Sequence, residues 1–190
     1  MVAENKSIEY RPLVPADWGD LEQLFGEHGA SGGCWCMWWR QTQAEFDRQH
    51  GEPNRLAFKS LVESGVVPGV LAYQDGEPAG WCAIGPRESY SRLERSRTLA
   101  RVDDQPVWSV TCFYVKRMHR GRGLTRGLLG AATDWAARNR AHVVEAYPIE
   151  LRDGTSAVAA YMGVVPVFLE AGFVEVVRRS PRRPIMRKTL

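Results

Sequence analysis

The sequence predicts one mixed α/β (α+β) domain, a mostly antiparallel central sheet flanked by helices. Three observations carry that expectation. Strand-like and helix-like periodicities alternate in the order strand, helices, hairpin, strand, helix, strand, helix, strand, strand. The run "VWSVTCFYV", residues 107 to 115, is β-branched and aromatic, as a central strand buried on both faces should be. The chain has 190 residues, 44% of them hydrophobic. That is one domain's worth, able to bury roughly 70% of its unfolded surface. No repeat, low-complexity segment or linker divides it, so residues 1–190 are read as a single domain.

The elements follow in order. Ile8 and Tyr10 alternate with Ser7, Glu9 and Arg11 in a short strand that Pro12 helps to end. Pro15 or Asp17 opens a helix whose Trp18, Leu21, Leu24 and Phe25 share a face, and "GEHGASGG" stops it. After "CWCMWWRQTQAEFDRQHG", a helix is expected around Asn54 to Glu63, carrying Leu56, Phe58 and Leu61. Two apolar runs joined by Asp75, Gly76 and Glu77 form a hairpin. The polar stretch from Arg87 to Pro106 is expected to be partly helical. Beyond the central strand, a basic glycine loop leads into a helix marked by Leu124, Leu128, Ala131, Ala132, Trp135 and Ala136. "HVVEAY" is a strand, and "PIELRDGTSAVAAYMG" a long connection of the kind that borders a site. Pro166 and Gly172 bracket a short helix, and "FVEVV" and "PIMRKTL" close the chain as two strands.

Composition narrows the class. The N-terminus has no apolar targeting region, and no stretch approaches the roughly 18 apolar residues of a membrane span, which predicts a soluble, cytoplasmic protein. Cys34, Cys36, Cys82 and Cys112 include no C-x-x-C pair and read as reduced thiols. His28, His50, His119 and His142 are scattered, so no metal is expected. The net charge is +3, but eleven Lys/Arg fall in two acid-free blocks, residues 116 to 126 and 178 to 188, so the remainder is at −8. Concentrated charge of this kind favours a local anion site over a broad nucleic-acid face.

"HRGRGLTRG", between the central strand and its helix, is the candidate. A strand feeding a helix here leaves unpaired backbone N–H groups at the helix N-terminus, where the dipole also favours an anion. Gly121 and Gly123 remove side chains that would hold a phosphate away, and Arg120, Arg122 and Arg126 can add charge-assisted bonds. A solvated basic turn is the competing reading. The P-loop string G-x-x-x-x-G-K-[ST] does not occur; the dinucleotide fingerprint has Arg126 where its third glycine belongs, but with Glu145 roughly 20 residues on in place for a ribose contact, NAD binding stays open as a rival.

With those residues in view, "VWSVTCFYVKRMHRGRGLTRGLL" resembles the central strand, pyrophosphate loop and helix of the GNAT superfamily of N-acetyltransferases. Arg120, Gly123 and Thr125 stand at the defined positions of Q/R-x-x-G-x-G/A, with Thr125 departing from Gly/Ala. "FLEAGFVEV" is similar to the family's Tyr-x-x-x-Gly-Phe, with Phe168 in place of the tyrosine. "CWCMWWR" and "RRSPRRPIMRK" resemble a functionally uncharacterised bacterial subgroup.

The resemblance implies a splayed central strand pair with acetyl-CoA as co-substrate. Phe113, Tyr114 and Val115 would pair with its pantetheine arm, and Arg120, Gly121, Arg122, Gly123, Leu124, Thr125 and Arg126 would hold its pyrophosphate. It implies direct attack by an amine on the thioester, with a base, an acid and a polarising backbone N–H. Since Phe168 cannot donate a proton, either Tyr147, Tyr161 or water is the acid, or the thiolate leaves unassisted. Glu145, at a strand end beside the presumed cleft, is the candidate base, or else an edge carboxylate paired with an arginine. Cys112 has no evident histidine partner and reads as a buried hydrophobe. Trp35, Trp38 and Trp39 form an acceptor wall, a cation-π site, core or a dimer interface. The expected partner is a small-molecule or peptide amine, with neither nucleic acid nor membrane involved, and a homodimer stays open. A non-catalytic acyl-CoA sensor and, last, a nucleic-acid-binding module are the alternatives.

Overall fold

Among the described residues, seven strands make one sheet: β1 (Ile8–Pro12), β2 (Gly69–Gln74), β3 (Glu77–Pro86), β4 (Trp108–Val115), β5 (Val143–Ala146), β6 (Val174–Ser180) and β7 (Arg183–Thr189). In the computed structural model, which describes residues 7–151 and 159–190, their order is β1-β2-β3-β4-β5-β7-β6. Every neighbouring pair is antiparallel except β4 and β5. The expected mixed, mostly antiparallel sheet is therefore the fold observed. Asp75 and Gly76 turn the β2–β3 hairpin with both φ angles positive, 55° and 82°, the backbone of the two-residue turn that Asp-Gly favours.

Among the described residues, six α-helices flank the sheet: α1 (Trp18–Phe25), α2 (Gln43–Gln49), α3 (Glu52–Glu63), α4 (Ser91–Glu94), α5 (Leu124–Arg138) and α6 (Val165–Glu170). On one face, Leu124, Leu128, Leu129, Ala132 and Ala136 of α5 pack against Ile84, Val110 and Val144, with Phe168 and Phe173 closing the same core. On the other, Leu21, Leu24 and Phe25 of α1 and Phe58 and Val62 of α3 pack on Leu71, Tyr73 and Trp81. The helix α2 lies within the segment left unassigned above. Thr42 opens it with a capping box, its hydroxyl accepting from Glu45 N while the Glu45 carboxylate accepts from Thr42 N at 2.7 Å. A cap of this type is worth about 1 kcal/mol.

The β4–β5 junction positions the site. Parallel pairing joins only Trp108–Val110 to Val144–Ala146. Opposite β3, β4 carries an extra residue at Thr111, since Ala83 pairs with Cys112 and Ile84 with Val110. A bulge re-aims the strand that contains it, and beyond it Cys112–Val115 pair with β3 alone. Part of the long connection expected after β5 lies outside the described residues. Among the described residues, no helix is long and apolar enough to cross a membrane.

Candidate active site

The splay of β4 from β5 opens a cavity of about 690 Å³. Thr111 to Val115 form its floor, and Arg120 and Thr125 lie at one end. The segments 30–39 and 160–164 form walls, with Phe46 of α2. The Phe113 N–H donates to the Tyr161 carbonyl at 2.6 Å, so a carbonyl oxygen is already held on this strand edge.

At the Arg120 end, α5 begins directly from Gly123, which has φ 79° and offers no side-chain cap. A Cβ built on Gly121 or Gly123 meets nothing within 4 Å. Packing therefore does not demand glycine at either position; the left-handed backbone does. The N–H groups of residues 121–125 have no backbone acceptor among the described residues. Five consecutive donors at the N-terminus of a 15-residue helix make an anion cradle. Arg120 is braced by its Nε–H bond to Val115 O at 3.0 Å, while Arg126 pairs with Glu170. The loop donors fit a pyrophosphate, which the backbone N–H groups would hold with Arg120 at the same end of the cavity.

The opposite end is aromatic. Trp35 and Cys36 both adopt positive φ, 42° and 55°, a backbone that such residues rarely hold without support. Packing supplies it. The Trp35 ring stacks 6.3 Å from Trp18 and lies 5.7 Å from Phe25, and Cys36 Sγ accepts from Trp81 Nε1 at 2.9 Å. Trp35 is thus core, whereas Trp38 and Trp39 line the cavity. The Arg92 guanidinium lies 3.8 Å from the centre of the Trp38 ring, so that ring already has a cation. All four cysteines are free. Cys34 and Cys112 line the cavity too, a placement that sequence spacing could not reveal.

Two of the three candidate catalytic side chains lie elsewhere. Glu145 is fully buried on β5. It accepts from Arg87 Nη1 at 2.9 Å, Arg187 Nε at 2.8 Å and the Tyr147 hydroxyl at 2.6 Å. Tyr147 also takes a bond from Arg87 and lies 2.8 Å from Ser109 Oγ. Burial, then the Glu145 charge, pushes its phenol well above the ordinary value. Neither residue lines the cavity. Of the two readings of Glu145, this geometry is that of the arginine-paired carboxylate, with two arginines on it rather than one. Arg87, which organises the cluster from 58 residues away, carries no sequence signal of this role. Tyr161 does line the cavity. Its phenol is pushed up to about 12, mainly by burial.

Phe168 is fully buried, its ring 5.2 Å from Phe173 and 6.1 Å from Phe113. Much of the C-terminal basic block is engaged within the protein. Arg178 pairs with Glu150 and Glu175, Arg179 donates to the carbonyls of Ala100 and Arg101, and Arg187 pairs with Asp103 and Glu145. No group of three or more His, Cys, Asp or Glu able to hold a metal occurs among the described residues.

A strand edge that β5 leaves unpaired, beside a helix N-terminus whose N–H groups are unpartnered among the described residues, is the arrangement that the GNAT resemblance implies. The sequence model of the "Acetyltransferase (GNAT) family" matches residues 34–163, and the chain belongs to that family. Solved structures share the fold at low identity. An acetyltransferase of the GNAT family from Listeria monocytogenes is 14% identical over 100% of this chain and 99% of its own, with a TM-score of 0.58. A GCN5-related N-acetyltransferase from Kribbella flavida is 20% identical over 96% and 98%, with a TM-score of 0.56. The PaiA N-acetyltransferase from Thermoplasma acidophilum, in complex with coenzyme A, is 13% identical over 97% and 99%, with a TM-score of 0.53. No curated protein matches the sequence.

Proposed function

We propose that the protein is an acetyl-CoA-dependent N-acetyltransferase that moves an acetyl group to an amine by direct attack. One observation carries this reading: the open edge of β4 borders the same cavity as Arg120 and Thr125, the residues that bracket the loop donors. Acetyl-CoA supplies the activated acetyl group. The loop backbone, Arg120 and Arg122 bind its pyrophosphate, and the edge of Phe113–Val115 that β5 leaves unpaired accommodates the pantetheine arm. The Phe113 N–H, now bonded to the Tyr161 carbonyl, exchanges that partner for the thioester carbonyl and polarises it as negative charge develops on oxygen. Tyr161 is the group we assign to protonate the leaving sulfur. Its raised pKa keeps the phenol protonated at neutral pH. Glu145 and Tyr147 are assigned a structural role, clamping β5 to β4 just before the two strands part. The free cysteines support the expected reducing, cytoplasmic setting.

One observation favours a second reading. Phe168 offers no proton where the family resemblance expects a tyrosine, which suits an acyl-CoA sensor without turnover. Incubation with acetyl-CoA and a panel of small amines and peptides separates the two, with free CoA and acetylated product quantified by mass spectrometry. Product above the enzyme-free rate is the expected result. Saturable acetyl-CoA binding with no product from any amine would establish the sensor instead.

A further inference from the structure

The acceptor end of the cavity has a chemical bias that bears on the kind of amine it takes, an inference that rests on the transferase reading. The titratable groups in the described lining are Cys34, Cys36, Cys112, Tyr114, Tyr161 and Arg120. None is a carboxylate or a histidine. Burial raises the Cys34 thiol to about 11 and the Tyr161 phenol to about 12. Cys36 is raised well above its ordinary value, first by its hydrogen bond with the Cys112 side chain. These groups stay neutral at physiological pH.

The charged groups nearby are mixed: the α2 carboxylates of Asp47 and Glu45 interact at a distance with Arg92 and Arg95, but only the cations line the space. Arg120 stands at the phosphate end, and Arg92 and Arg95 line an adjoining recess that shares Trp38, Trp39 and Tyr161 with the cavity. Arg92 donates to Trp38 O at 2.6 Å and Gln43 Oε1 at 2.7 Å, and has no carboxylate partner among the described residues. With Arg92 over Trp38, that ring is not free to receive an ammonium. An ammonium entering here would give up water for neutral walls, with Arg92 and Arg95 rather than either α2 carboxylate lining the adjoining recess, an unfavourable exchange. A lysine-like amine, with pKa about 10.4, must therefore enter through its neutral form, roughly one molecule in a thousand at pH 7.4. A weakly basic amine is neutral already, and the aromatic side chains of Trp39, Phe46 and Tyr161 offer surface for a ring.

We propose that the acceptor is a small aromatic amine, neutral at physiological pH, seated against the aromatic wall with its nitrogen directed to the Cys112–Phe113 floor. The nitrogen lone pair forms the new N–C bond at the thioester carbonyl, and the C–S bond breaks with its electron pair going to sulfur. Tyr161 gives its proton to the thiolate, and the proton lost from nitrogen restores the Tyr161 phenol. Such an amine needs no base to deprotonate it before attack, in keeping with a described lining that contains neither carboxylate nor histidine.

The test compares aniline with benzylamine, rings of similar size that are neutral and cationic at pH 7. Binding is measured by calorimetry on the protein alone and on the protein loaded with CoA, and kcat/KM is measured from pH 6.5 to 8.5. We expect aniline to bind at least tenfold more tightly. Its kcat/KM should be flat with pH, while that of benzylamine rises about tenfold per unit as its neutral form grows. Ser31 is exposed at the cavity lining, and Ser31→Asp should cut the aniline-to-benzylamine binding ratio several-fold at low salt. Equal or tighter binding of benzylamine, a pH-flat kcat/KM for it, or a ratio unmoved by Ser31→Asp would each overturn the proposal. If acetyl-CoA itself fails to bind, the transferase reading falls, and the binding ratio on the protein alone still decides the cavity's preference.

Discussion

Glu145 separates a structural account of the buried cluster from a catalytic one, and Glu145→Gln tests the difference. In the wild type, the carboxylate is fully buried and accepts three hydrogen bonds, two of them from arginines. Arg87 is 1% exposed at its side chain and Arg187 11%. Removing one partner of a buried pair costs about 3–5 kcal/mol because a charge is left uncompensated. Neither arginine is left wholly alone. Arg87 keeps Glu94 and the carbonyls of Leu93 and Leu99, and Arg187 keeps both oxygens of Asp103. The lower end applies, about 3 kcal/mol, which for a chain of this size lowers Tm by roughly 6–12 °C. Thermal melts followed by circular dichroism give the stability, and turnover well below the variant's midpoint gives kcat per folded molecule. The account predicts a lower Tm with kcat within a few-fold of wild type. A Tm within about 2 °C of wild type, with kcat down about 10²-fold or more as for a lost general base, would refute the reasoning.

Three further outcomes follow from the same geometry. Phe168→Tyr places a hydroxyl in a fully buried site among Phe113, Phe173 and Gly163; it should destabilise by about 1–3 kcal/mol in urea melts without raising kcat, because the hydroxyl finds no partner. Tyr161→Phe should lower kcat by about 10²-fold, the lower end for a general acid, with the acetyl-CoA Kd unchanged by titration. Alkaline stability should decline from about pH 10, because the Tyr161 phenol is raised from 10.0 to about 12 and the buried Tyr147 and Tyr73 phenols are raised too. A raised folded-state value means that the folded chain holds the proton more tightly, so the stability is complete below pH 10 and lost as pH climbs toward 12. Tyrosinate absorbance, compared between folded and urea-unfolded protein, reads it directly.

What was legible in the sequence was local. The Asp75-Gly76 turn, the β-branched run that became β4, and the Pro166 and Gly172 boundaries of α6 each act through neighbouring backbone, and each lies where its chemistry directs. The glycine loop was legible for the same reason, since Gly123 combines a left-handed conformation with a helix start. Longer-range features were not. The insertion of β7 between β5 and β6 has no local signature, and it brings Arg187 onto Glu145. Arg87, in a polar stretch that reads as solvated, turns inward because Glu145, Tyr147 and two carbonyls meet its donors. The helix α2 was signalled by Thr42 and Glu45, a capping box hidden beside a dense run of tryptophans.

The central claim is that the open edge of β4 and the Gly121–Thr125 cradle together bind acetyl-CoA. Calorimetric titration with acetyl-CoA, on wild type and on Gly123→Trp, tests it most directly, with NAD as a control ligand. The account predicts saturable one-to-one binding by wild type, loss of that binding in a variant that remains folded, and no binding of NAD. Absence of acetyl-CoA binding by the folded wild type, or affinity unchanged by tryptophan at position 123, would contradict it.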